Sequence, residues 1–183
     1  MPSGSGVRPG DLLTSLSGKT IEVSNTDAEG RVILADALTY VERKFKPKLT
    51  IDVATLTGAA LVALGQEATA LFTQKEELRT AGIAIGEASG DYVWPLPMWE
   101  EYAPLVKGTF GDVTNSGKSK WGGAIEGAMF LAEFAGDKPW IHLDIAPTMS
   151  SAEGQQLAPG ATGVGVRWLV ELARRIASGT LNT

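Results

Sequence analysis

The chain has 183 residues, 44% hydrophobic and 20% charged, with a formal charge of −5, so one sizeable core is expected in preference to two small independent domains. The acidic balance, with no basic run longer than the pair Arg174 and Arg175, gives nucleic acid no electrostatic footprint. No cysteine is present for disulfides or thiolate sites. No apolar stretch approaches the roughly 18 residues of a membrane span, and Met1 to Gly10 does not read as a secretory signal, so a cytoplasmic protein is expected.

Strand-like and helix-like runs alternate along the chain, which predicts a layered α/β domain: three layers, α/β/α, around a mixed, largely parallel sheet. Thr20 to Ser24 reads as a short strand, and Arg31 to Phe45 places Ile33, Leu34, Leu38 and Val41 at helical spacing. Leu49 to Thr55 is a buried strand, Gly58 to Leu64 a short helix, Ala68 to Thr73 a strand and Lys75 to Ala88 an amphipathic helix. Gly90, Pro95 and Pro97 predict a loop from Ser89 to Pro97, before a helix around Trp99 to Val106. Gly108 to Gly123 is loop-rich, Ala124 to Phe134 a helix and Trp140 to Ala146 a strand with Ile141, Leu143 and Ile145 on one side. Pro147 to Gly165 reads as irregular and Val166 to Ala177 as a closing helix that ends near Gly179. No repeat and no long linker divides the chain.

Asn25 to Arg31, NTDAEGR, puts two carboxylates and a guanidinium at a strand-to-helix junction, where α/β sheets host ligands. A structural reading is available: Thr26 and Glu29 have capping-box spacing, and Asp27 and Glu29 suit the positive end of a helix dipole. It leaves Gly30, a poor helix former, and Arg31, at the end of the dipole that repels cations, unexplained. A binding role explains both. Asp27 and Glu29, two residues apart in an extended or turning backbone, can clamp a divalent cation with hard oxygen ligands suited to Mg, Mn or Zn. A pair of such ions can activate a water and hold the carbonyl under attack. Arg31 can orient an anion or stabilise developing charge.

The segment NTDAEGR resembles the signature of the leucine aminopeptidase (cytosol aminopeptidase) family of two-metal exopeptidases. The resemblance continues through MPSGSGVRPGD, SGKTIEVSNTDAEGR, IDVATLTGA, WGGAIEGAMFL, HLDIA and GATG, and so covers nearly all of the chain. It implies the C-terminal half of a catalytic domain that releases N-terminal amino acids, often leucine, by a metal-bridged water. On the family pattern, Asp27 and Glu29 are metal ligands for two divalent ions, Mn or Zn. Arg31 is the catalytic arginine, which works with bicarbonate as proton acceptor. Gly30 and Leu56 help hold that anion, while Thr55, Gly58, Ala146 and Met149 line the pocket for the first side chain. Leu56 and Gly58 would also position substrate through backbone groups. Pro147 departs from the pattern, which more often has glycine there, and that affects the expected shape of the pocket.

The family's other metal ligands, a lysine and further aspartates, and its catalytic lysine belong to a Gly-rich segment with no counterpart here; FGDVTNSG, Phe110 to Gly117, is a different motif. The N-terminal domain and the first part of the sheet are also without a counterpart. Little or no peptidase activity is therefore expected of this chain alone, and an open sheet edge is expected where the remaining strands belong. The resemblance also implies a hexameric homo-oligomer, or a partnership with the missing N-terminal portion. The alternative is a truncated, non-catalytic α/β binding or assembly module. A nucleotide-binding domain is a weaker one, resting on GATGVG, which reads better as the start of a helix.

His142 is expected to be buried and hydrogen-bonded within its strand, and the same core reading covers Asp144. Asp112 and Asn115 are expected to shape turns. Trp94, Trp99 and Trp121 are expected to pack beneath loops.

Overall fold

The computed structural model describes residues 3–151 and 159–181. They divide into two compact units, each built from two stretches of chain: residues 1–47 with 99–137, and residues 48–98 with 138–183.

The first unit opens with β1 (Leu12–Thr14) and β2 (Thr20–Glu22), an antiparallel hairpin in which Leu13 faces Ile21. A single 3₁₀ turn, Thr26–Ala28, leads into α1 (Glu29–Phe45). After a 3₁₀ segment at Glu100–Val106, β6 (Val113–Thr114) adds to β2 in parallel, and α4 (Gly123–Ala132) packs against both α1 and that segment. Burial of Ile21, Val23, Leu38, Val113, Phe130 and Leu131 forms the interior, the non-directional term that holds such a layer together. α1 begins two residues before the position that periodicity predicts, so Gly30 and Arg31 both lie in its first turn.

The second unit is a four-stranded mixed sheet of β3 (Thr50–Ala54), β4 (Thr69–Phe72), β5 (Val93–Pro95) and β7 (Trp140–Asp144), in the order β3-β7-β4-β5. β3 runs parallel to β7, pairing Asp52 with His142, and β4 is antiparallel to β7 and parallel to β5. Helices α2 (Gly58–Leu64), α3 (Glu76–Ser89) and α5 (Val166–Ala177) complete it, together with a two-strand ribbon of β8 (Ser150–Ser151) and β9 (Gly160–Ala161). Leu71, Leu78, Ile85, Ile141, Leu143, Trp168 and Leu172 form one buried cluster. Asp91 pins the start of α5, accepting from the amides of Gly165 and Trp168 at 3.1 Å each while pairing with Arg167.

The stretch expected to be a loop from Ser89 to Pro97 contains β5. Proline is tolerated there because β5 is an edge strand and Pro95 is its last residue. Part of the irregular stretch, residues 152–158, lies outside the described residues. The tryptophan expectation is corrected: Trp94, Trp99 and Trp121 are more than half exposed, with Trp99 stacked on Tyr102 and Lys120 over the Trp121 ring. Flat, amphipathic rings of this kind gain from such partners while staying wet.

Candidate active site

In the first unit, the Asn25 side chain caps the 3₁₀ turn by accepting from the Asp27 amide at 3.0 Å. The capping box that Thr26 and Glu29 could have formed is absent, and α1 has no side-chain cap at Ala28. Ala28, at φ −102° and ψ 35°, interrupts the helical path between the two acids. Both carboxylates are exposed, and neither has a hydrogen bond or ion pair with a described residue. Asp27 and Glu29 are thus not consumed by holding the helix start together. Their oxygens remain available as hard ligands.

Arg31 is the opposite case: buried, 8% exposed, and tied at one end. Its Nη1 donates to the Asn115 carbonyl at 2.6 Å and to Glu126 Oε1 at 2.7 Å, while Nη2 reaches the Gly123 carbonyl at 3.4 Å. The Nε–H is buried with no partner among the described residues. An orphaned donor on a buried guanidinium is costly unless a ligand takes it. A buried donor of this kind is suited to an oxyanion acceptor.

Asn115, expected to shape a turn, is buried and does more. Its Oδ1 accepts from the amides of Ser24 and Asn25 at 2.9 and 3.3 Å, and its Nδ2 donates to the Asn25 carbonyl at 2.7 Å. One side chain therefore fixes the backbone that leads into Asp27, and its own carbonyl holds Arg31. Asp112 does shape the chain locally, accepting from the Thr20 amide and hydroxyl at 2.8 Å.

In the second unit, Thr55, Leu56 and Gly58 lie on the connection from β3 to α2, while Ala146 and Met149 lie in the turn after β7 that also holds Pro147. Asp144 draws the two stretches together. Fully buried, it accepts from the Leu56, Thr57 and Ala146 amides at 3.1, 3.3 and 3.2 Å and from the Thr57 hydroxyl at 2.6 Å. The Leu56 amide is therefore already engaged, which leaves its carbonyl as the backbone group for a ligand. Thr55, Gly58 and Met149 are exposed, Leu56 is half-buried and Ala146 is buried.

His142 is buried as expected, its Nδ1 2.6 Å from Asp52 Oδ1, with Trp140 Nε1 donating to Asp52 Oδ2 at 2.7 Å. Its ring stacks with those of Phe72 and Trp140.

The model of the cytosol aminopeptidase family, catalytic domain, matches residues 1–170. The chain belongs to this family. A probable cytosol aminopeptidase of Syntrophotalea carbinolica is 53% identical over 94% of this chain and 34% of its own length, and one from Chlorobaculum parvum is 51% identical with the same coverage. The solved structure of a tomato leucine aminopeptidase mutant superposes with a TM-score of 0.88 at 45% identity, covering 96% of this chain and 34% of that one. The bottromycin maturation enzyme BotP gives 0.91 at 38% identity, covering 98% and 40%. The chain thus spans about a third of the length of the cytosol aminopeptidases it matches.

Sequence reasoning did not single out Glu126, and it favoured a structural role for Asn115 and Asp144. Glu126 carries a readable signal: it is the only charge in GAIEGAMFLA, the apolar sequence of α4, and a lone acid on such a helix needs a partner.

Proposed function

We propose that these residues supply part of the active site of a metal-dependent aminopeptidase that releases N-terminal amino acids, leucine among them, from peptides. The observation that carries the reading is the NTDAEGR turn, with two unpartnered carboxylates two residues before and four residues before a buried arginine that retains an orphaned donor. Asp27 and Glu29 would ligate two divalent ions, Mn or Zn, and Arg31 with Gly30 would hold bicarbonate. When bound, these groups would supply Lewis-acid polarisation, an activated water and a proton acceptor. Thr55, Gly58, Ala146 and Met149 would receive the first side chain of the substrate, and Asp144 would hold the backbone at Leu56, Thr57 and Ala146. Arg31 would orient the anion through its Nε–H while Glu126 balances its charge.

No group of three or more His, Asp or Glu side chains that could hold a metal occurs among the described residues. Two carboxylates fall short of the about four to six donors that each divalent ion takes. Residues 1–183 by themselves are therefore expected to turn over little or no substrate, and further ligands would come from a partner stretch of polypeptide. Assembly into a hexamer and a cytoplasmic location belong to the same reading. No helix among the described residues is long and apolar enough to cross a membrane.

Hydrolysis of leucine amide with added Mn or Zn tests the reading. Where turnover is found, Asp27→Ala should reduce it about a hundredfold or more. Activity of this chain alone that survives Asp27→Ala would defeat the metal assignment.

A further inference from the structure

Glu126 is 3% exposed and flanked on α4 by buried Ala124, Gly127 and Ala128. A carboxylate in such surroundings stays charged only if it is paired, and its partner is Nη1 of Arg31 at 2.7 Å. The opposite oxygen is also confined. A Cβ placed on Gly117 would lie 2.7 Å from Glu126 Oε2 and 2.4 Å from the Leu105 carbonyl, so the backbone there runs directly against the carboxylate. Glu126 therefore has little room to swing, and Arg31 inherits that restriction at one end only. Nη1 is shared with the Asn115 carbonyl, whereas Nε is left without a partner among the described residues.

We propose that Glu126 is a positioning residue for Arg31: it anchors the guanidinium at Nη1 so that the Nε edge is presented, fixed and unspent, to a planar oxyanion. The inference rests on the reading of Arg31 as an anion-binding residue and adds the group that makes that reading work. A buried ion pair adds little stability over an apolar pair of the same shape, so the value of this one lies in orientation.

Electrostatics and positioning predict opposite signs, which makes the idea testable. Removing a carboxylate beside a cation should strengthen anion binding by simple Coulomb attraction. Loss of the anchor should weaken it, because the guanidinium then samples orientations that cannot bind.

The experiment is nitrogen-15 NMR of the Arg31 Nε–H in the 183-residue chain, titrated with sodium bicarbonate and read for solvent exchange, with thermal melts confirming that each variant is folded. In the unaltered chain the Nε–H should exchange slowly and shift saturably with bicarbonate. In Glu126→Ala exchange should quicken, and the bicarbonate midpoint should rise, each about tenfold or more. Glu126→Gln keeps an acceptor for Nη1 and should bind bicarbonate at least as tightly as the unaltered chain. If the alanine variant proves unfolded, Glu126→Asp, one methylene too short to reach, takes its place with the same expectation.

Equal or tighter bicarbonate binding in the shortened variant, or unchanged exchange, overturns the proposal. A saturable shift absent from the unaltered chain points instead to failure of the anion-site reading. The exchange comparison then still decides whether Glu126 holds Arg31.

Discussion

Asp144 has no exposed surface, yet it accepts from the amides of Leu56, Thr57 and Ala146 and from the Thr57 hydroxyl. A buried acceptor with this many donors cannot be removed without stranding them. Asp144→Ala is expected to lower stability by about 3 kcal/mol or more, and Asp144→Asn by less, since the amide oxygen still accepts; urea midpoints at constant slope measure both. At this scale the sequence showed which side chains have the chemistry but not which of them are spent. NTDAEGR made Asp27, Glu29 and Arg31 candidates from composition and spacing. Whether Arg31 was free or already paired depended on Glu126, 95 residues away in the chain, and no local pattern encodes such a contact. The histidine was the easier case, because an apolar strand on both sides made burial the natural expectation.

Elements long enough to show a period were legible, and of the short strands β2 alone of the first unit was read. α2 and α5 have the limits that apolar spacing and flanking glycines predict. The strands β1, β5 and β6 contain three residues or fewer, too few for alternation to register. In the first unit, side chains clamp the loop that leads into β6 against β2. Phe110 and Thr109 amides donate to Glu22, and the Thr20 amide and hydroxyl donate to Asp112, which holds both carboxyls below their ordinary values of 4.5 and 3.8. A lowered folded-state value means that the stabilising contribution is complete above the ordinary value and is lost as pH falls through the lowered one. The melting temperature is therefore expected to drop, as pH falls below about 4.5, more steeply in the unaltered chain than in a Glu22→Gln, Asp112→Asn double variant. An identical pH dependence in the two would show that these clamps carry no linkage. The contact of α4 with the stretch before it makes a second element-scale prediction. Gly117→Ala would force a methyl against the Leu105 carbonyl and Glu126, and a loss of about 1–3 kcal/mol by chemical denaturation is expected.

For the whole molecule, the α/β class followed from the alternation of strand-like and helix-like runs and the family from the ordered motifs, and the match over residues 1–170 agrees with both. The two-unit division had no signature in composition. Each unit is assembled from two separated stretches, so no single linker marks the boundary between them. The proposed metal site was legible only as far as its two acids, and no group of three or more His, Asp or Glu side chains that could hold a metal occurs among the described residues.

The central claim is that Asp27 and Glu29 together take up a divalent cation, and electron paramagnetic resonance of added Mn is its most direct test. Mn should be retained by the unaltered chain, weakly, and its affinity should fall at least about tenfold in the Asp27→Ala, Glu29→Ala double variant. Equal Mn uptake by both proteins would contradict the account.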